Sequence, residues 1–249
     1  NTLAIERAQS AYTLAPNEPQ VLTGFGDILS NQGKTEKAIQ AYDRAIKISA
    51  GDPKIQLARS RLLLKSGQYT DAINDIKAVI DMESEDPTAW ALLAEAYERG
   101  SQLDEALTAI NRALEVAPRS GSYRLIQGRI YRKIGHLDLA LNVLRALELD
   151  EPENSNLPGE LGKVYEARRE TDAALEAYLR AVSLNVQDID SCMQAGLILK
   201  GIKSYEHAAE MFERVVTSRP NDAKALHQLA AVRALQLVHG GIESQVVTT

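Results

Sequence analysis

The sequence predicts an all-α fold, a right-handed α-solenoid of stacked helix-turn-helix repeats. Three residue series with a period of 34 positions support this prediction. An alanine recurs at Ala4, Ala38, Ala72, Ala106, Ala140, Ala174 and Ala208. Beginning with Ala38, each of these alanines has a small residue twelve positions before it, at Gly26, Ser60, Ala94, Gly128, Gly162 and Gly196. A large residue follows three positions after each small one, at Leu29, Leu63, Tyr97, Tyr131, Tyr165 and Leu199. This spacing suits close helix crossings, because small residues let the backbones approach and large neighbours fill the adjacent gap.

The clearest repeat is Pro87–Ser120. Asp86 can cap its first helix, and Pro87 suits the first turn, where a missing N–H costs no hydrogen bond. One apolar face follows, with Trp90, Leu93, Ala94 and Tyr97. Gly100 ends this helix, and a second amphipathic helix runs from the capping pattern at Ser101 to Pro118, which stops it. Each repeat therefore predicts two short helices joined by a tight turn.

This order of residues resembles the tetratricopeptide repeat family. The resemblance rests on the period of 34, the Trp–Leu–small–Tyr face of the first helix, the alanine of the second and the closing proline, and it covers nearly the whole chain. It implies a solenoid that acts as a non-catalytic scaffold for protein–protein interaction. It also implies that the first helix of each pair forms a concave wall.

The repeat register predicts a single solenoid domain over residues 1–239. It comprises a half repeat at 1–18, complete repeats at 19–52, 53–86, 87–120, 121–154, 155–188 and 189–222, and a terminal helix at 223–239. Gly240–Gly241 are expected to end that helix, which leaves residues 240–249 as a flexible tail. The turn-rich stretch Glu151–Gly159 predicts a late start for the next helix. Because residues 1–18 correspond to a second helix only, we expect the chain to be an excerpt of a longer protein.

Composition narrows the classes of function. The formal net charge of −6 argues against a general nucleic-acid binder. The single cysteine excludes an internal disulfide, and no apolar run has the length of a membrane span. We therefore expect no nucleic-acid partner, no membrane span and a cytoplasmic location.

No combination of residues predicts catalysis or metal binding. Gly33–Lys34–Thr35 has the ending of a P-loop, but Ile28 stands where that motif needs a glycine, and no strand precedes it. The histidines His136, His207, His227 and His239 have no His or Cys partner at ligand spacing. Cys192 occupies the packing position of Trp90, which predicts a buried thiol. We therefore predict no enzyme activity, no cofactor and no metal.

The first helices predict a peptide-binding groove. In the units from 53 to 154, their inward positions carry seven basic and two acidic residues, within a chain of net negative charge. The predicted groove residues are Lys54, Leu57, Arg61, Lys65, Leu92, Arg99, Leu125, Ile126, Arg129, Arg132, Lys133 and Lys163. An apolar strip flanked by cations suits an extended or helical peptide that carries acidic and bulky apolar residues.

Two alternatives remain open at the level of sequence. A truncated solenoid leaves an apolar end, so two chains could pair end to end as a homodimer. The segment could also be the regulatory or targeting part of a larger enzyme.

Overall fold

The computed structural model describes residues 2–82 and 85–246, and these form helices joined by turns. The helices are α1 (Thr2–Leu14), α2 (Pro19–Asn31), α3 (Thr35–Ile48), α4 (Pro53–Lys65), α5 (Tyr69–Met82), α6 (Pro87–Arg99), α7 (Leu103–Val116), α8 (Gly121–Ile134), α9 (Leu137–Asp150), α10 (Leu157–Ala167), α11 (Thr171–Leu184), α12 (Ile189–Gly201), α13 (Tyr205–Ser218) and α14 (Ala223–Val246). Within each of the two compact units described below, paired helices such as α6 and α7 or α12 and α13 pack against each other, and each pair packs against the next. The predicted all-α solenoid is confirmed.

The helices form two compact units, Asn1–Ile134 and Gly135–Thr249. The sequence predicts a single domain over residues 1–239. In a solenoid each repeat contacts only its neighbours, so compact groups of repeats can form along one chain without a common central core. The first unit contains α1 to α8, and the second contains α9 to α14.

The periodic residues form the contacts between paired helices. The alanines of the series are completely buried at Ala38, Ala72, Ala106, Ala140, Ala174 and Ala208, whereas the side chain of Ala4 lies outside the described residues. A Cβ placed on Gly162 would lie 2.6 Å from Cε1 of Tyr178, and one on Gly196 would lie 2.7 Å from Cε1 of Phe212. Glycine is required there because an aromatic ring lies directly against the backbone of the first helix.

The turn inside each complete repeat uses one left-handed residue. Its φ is 73° at Gly33, 79° at Gly67 and 98° at Gly135, and glycine adopts this conformation without steric cost. Ser101, Arg169 and Lys203 occupy the same register with φ of 62°, 63° and 65°. The turn geometry is therefore set by the repeat, including where the residue is not glycine.

Two helix boundaries differ from those of the other repeats. α10 begins late, at Leu157, as the turn-rich stretch before it predicts, and Pro158 lies in its first turn. α14 continues through Gly240–Gly241 to Val246, so the prediction of an end near residue 239 is wrong. Glycine lowers helix stability by only about 1 kcal/mol relative to alanine and does not forbid the conformation. Residues 247–249 of the predicted tail lie outside the described residues.

Candidate functional site

A groove of about 630 Å³ lies in the first unit, lined mainly by the first helices of its repeats, α2, α4, α6 and α8. Five of the predicted site residues line it: Arg61, Lys65, Leu92, Arg99 and Ile126. These side chains come from three consecutive repeats. The repeat period therefore converts separate positions in sequence into one continuous surface.

The floor of the groove is apolar. Leu62, Leu64 and Ala91 are buried, and Leu92 is half-buried between its neighbours. Each first helix packs against helices on both sides, so only a narrow strip of α4 and α6 faces the groove. A ligand side chain in the groove would therefore meet small and aliphatic groups.

Three cations stand around this floor. Arg61 and Lys65 lie on α4, Arg99 lies on α6, and all three are exposed. Within residues 2–82 and 85–246 none of the three forms a salt bridge. The acidic residues of the lining are Asp27 and Glu95, and Asp27 accepts a hydrogen bond of 2.5 Å from the hydroxyl of Tyr42. Asp27 is exposed and Glu95 is half-buried, so three exposed cations stand against one exposed carboxylate around the floor.

Arg129 and Lys133, two further predicted cations, are held by a buried carboxylate. Arg129 donates to Glu98 from Nε at 2.8 Å and from Nη2 at 2.7 Å, and Nζ of Lys133 lies 3.0 Å from Glu98. The Glu98 side chain is only 3% exposed. Burial alone would raise the pKa of Glu98, but the hydrogen bonds and positive charges of Arg129 and Lys133 outweigh it and hold this pKa below its usual range. This cluster joins α6 to α8.

The remaining predicted residues occupy varied environments. Leu57 is buried, while Leu125 and Arg132 are half-buried. Lys54 is exposed at the start of α4, where its backbone N–H donates to the capping carboxylate of Asp52 at 2.8 Å. These four do not line the groove. Lys163 belongs to the second unit and pairs with Glu160, one turn before it on α10, at 2.8 Å.

Sequence reasoning missed Tyr42, which comes from a second helix and still lines the groove. It is buried, and its ring packs 3.2 Å from the position that a Cβ on Gly26 would take. Burial, together with the hydrogen bond to Asp27 and its negative charge, raises the pKa of Tyr42. The available signal was a glycine followed by an aromatic residue sixteen positions later, a pairing repeated at Gly162 and Gly196.

The described residues contain no group of three or more His, Cys, Asp or Glu side chains that could hold a metal ion. Cys192 is buried, as its packing position predicts, and burial raises the pKa of its thiol. Of the helices in the described part of the chain, none combines the length and apolar character that a membrane crossing requires.

Comparisons with known proteins agree with the repeat architecture. Two tetratricopeptide repeat profiles match residues 57–123 and 125–189, and residues 19–52 and 189–222. No match was found among curated protein sequences.

Solved structures of this architecture are similar at low identity. A tetratricopeptide repeat protein from Parabacteroides merdae is 19% identical over 92% of this chain and 90% of its own, with a TM-score of 0.79. A thermophilic repeat protein from Thermus thermophilus is 25% identical over 73% of this chain and 98% of its own, with a TM-score of 0.62. YrrB, described as having an unusual peptide-binding site, is 18% identical over 74% and 95%, with a TM-score of 0.53. With most of its length matched by repeat profiles and its helices paired in the expected register, the chain belongs to the tetratricopeptide repeat family.

Proposed function

We propose that this chain is a non-catalytic scaffold that binds a peptide segment of a partner protein in the groove of its first unit. The family acts in general through protein–protein interaction, and the finer assignment rests on one observation. An apolar floor is flanked by three exposed cations, Arg61, Lys65 and Arg99, that form no salt bridge within the described part of the chain. The segment that fits carries bulky apolar residues with acidic neighbours.

The apolar contacts supply most of the expected affinity. Burying one large aliphatic or aromatic side chain contributes about 1.5–3 kcal/mol, and the floor offers Leu62 and Leu92 as partners. An exposed ion pair contributes only about 0–1 kcal/mol and weakens with salt. The cations therefore select acidic segments and speed their association more than they hold them.

The carboxylate of Glu98 makes Arg129 and Lys133 less available to a ligand than the sequence predicts. A ligand carboxylate that approached these two cations would have to compete with a buried carboxylate already 2.7–3.0 Å away. Arg61 and Arg99 form no salt bridge with any of the described residues, although Glu95 lines the same groove. Charge reversal at Arg61 and Arg99 is therefore the sharper test of groove binding, since it leaves the Glu98 cluster intact.

The test is a fluorescence-anisotropy titration with a labelled peptide in which leucine and phenylalanine alternate with glutamate and aspartate. We expect the unaltered protein to bind it more tightly at low salt. The double variant Arg61→Glu/Arg99→Glu should weaken binding by about tenfold or more, because two favourable contacts become repulsive, and should flatten the salt dependence. Lys47→Glu, an exposed reversal on α3, is the matched control and should leave affinity unchanged. Equal affinity for all three proteins at low salt would overturn the proposal.

A further inference from the structure

A second cavity, of about 490 Å³, lies in the first unit and shares no lining residue with the groove. We name it the Trp90 cleft. Trp90, Leu93 and Tyr97 of α6 form one wall, and Ile80 of α5 and Ala109 of α7 line the floor. Groove and cleft lie against different faces of α6, because the groove takes the face of Ala91, Leu92 and Glu95. The cleft is thus independent of the proposed groove.

The cleft is open because of the residue at one repeat position. In the preceding repeat that position is Arg59, whose guanidinium pairs with Asp43 of α3 and with Asp75 of α5 and so spans the space between these helices. In the following repeat it is Gln127, whose Nε2 donates to Oδ1 of Asn111 at 2.8 Å. Leu93 occupies the same position and has no polar head with which to bridge. An apolar cavity therefore remains between α5 and α7.

The charge around the cleft is mainly negative. Asp81, Asp104 and Glu105 are exposed at its edge. Among the described residues that line the cleft, the only cation is Lys77, whose Nζ lies 5.6 Å from the ring centroid of Tyr97 and is thus engaged with that ring. A ligand with its own positive charges would meet three carboxylates beside an aromatic wall.

The equivalent cleft two repeats earlier has the opposite charge. The described residues of its lining include Lys34, Lys37 and Arg44 and no acidic side chain. Tyr12 stacks on Phe25 inside it, with ring centroids 4.6 Å apart. The three carboxylates at its edge therefore distinguish the Trp90 cleft from the cleft that α1, α2 and α3 form.

We propose that the Trp90 cleft is a second binding site, which takes a partner segment with a bulky apolar side chain flanked by lysine or arginine. The apolar side chain would pack between Trp90 and Ile80, and its cationic neighbours would face Asp81, Asp104 and Glu105. Its charge preference is the reverse of the preference of the groove. The two faces of α6 can then engage two segments of opposite charge without competing.

Trp90 reports directly on this site, because it is the only tryptophan in the chain. The probe is the tryptophan-free peptide acetyl-Lys-Leu-Phe-Lys-amide, with acetyl-Glu-Leu-Phe-Glu-amide as its charge-reversed match. We expect the lysine peptide to produce a saturable change in Trp90 emission and the glutamate peptide to produce none. The absence of a saturable change with the lysine peptide would overturn the proposal, whatever the groove peptide does.

Two variants test whether the lysine peptide binds in the cleft rather than elsewhere on the surface. Calorimetric titration measures the affinity of each variant for this peptide. Asp104→Asn/Glu105→Gln keeps the shape of the side chains but removes their charge. It should weaken the binding of the lysine peptide by up to about fivefold for each exposed ion pair lost. Ala109→Leu extends a larger side chain into the cleft and should abolish binding while circular dichroism shows an intact helical fold. Glu115→Gln, also on α7 but outside the cleft, is the control and should bind as the unaltered protein does. Unchanged affinity of both cleft variants would refute the assignment.

Discussion

Replacing Glu98 by glutamine is expected to destabilise the first unit by about 2 kcal/mol. Glutamine keeps the size of the side chain but removes the charge that Arg129 and Lys133 neutralise. Removing one partner of a buried ion pair costs about 3–5 kcal/mol. The side chains of Arg129 and Lys133 are 28% and 38% exposed, so water partly solvates these two cations and lowers this cost.

The effect of this substitution should depend on pH. The two cations hold the pKa of Glu98 below its usual range in the folded protein. A group of this kind contributes stability above its unfolded pKa, about 4.3, and loses it as the pH falls through the lower, folded-state pKa. The stability difference between the unaltered protein and Glu98→Gln should therefore be full at neutral pH and shrink in acid.

Urea unfolding followed by the emission of Trp90 measures this difference. Stepwise unfolding is possible in a repeat protein, so the comparison uses the midpoint of the transition that Trp90 reports. Glu115→Gln is the control, because its pair with Arg112 is exposed on both sides, 59% and 61%. The reasoning fails if Glu98→Gln and Glu115→Gln shift the midpoint equally, or if the Glu98 effect is as large in acid as at neutral pH.

Two further predictions concern the backbone, and thermal unfolding checks both. Gly162→Ala should destabilise by about 1–3 kcal/mol, because its Cβ would lie 2.6 Å from the buried ring of Tyr178. Gly24→Ala, with nothing within 4 Å of the new Cβ, should stabilise α2 by up to about 1 kcal/mol. Similar changes in melting temperature for Gly162→Ala and Gly24→Ala would contradict the close contact between Gly162 and Tyr178. Lys203→Gly should stabilise by about 1 kcal/mol, because a left-handed φ of 65° is unfavourable for lysine; a lower melting temperature would contradict this.

The sequence predicted the repeat architecture well because periodic packing leaves a periodic residue pattern. Ala38 and its five described equivalents are all fully buried, and each complete repeat supplies two helices at the expected register. The end of α14 was not predicted, because Gly240–Gly241 weaken a helix without being able to stop it.

The groove was predicted less completely. Arg61, Lys65 and Arg99 share the lining of one groove because helical periodicity fixes the direction in which side chains leave a helix. It did not show that Glu98 binds two of the cations on α8, because that depends on how adjacent helices are staggered. Charges counted along one face therefore overestimated the positive charge available to a ligand.

Photo-crosslinking to the acidic, apolar peptide tests the central claim most directly. A benzoylphenylalanine replaces Thr88, which is exposed in the lining of the groove, or Lys47, which is exposed on α3 outside it. We expect the peptide to crosslink from position 88, to be displaced by excess unlabelled peptide, and not to crosslink from position 47. Equal crosslinking from both positions, or crosslinking from position 47 alone, would show that the groove of the first unit is not the binding site.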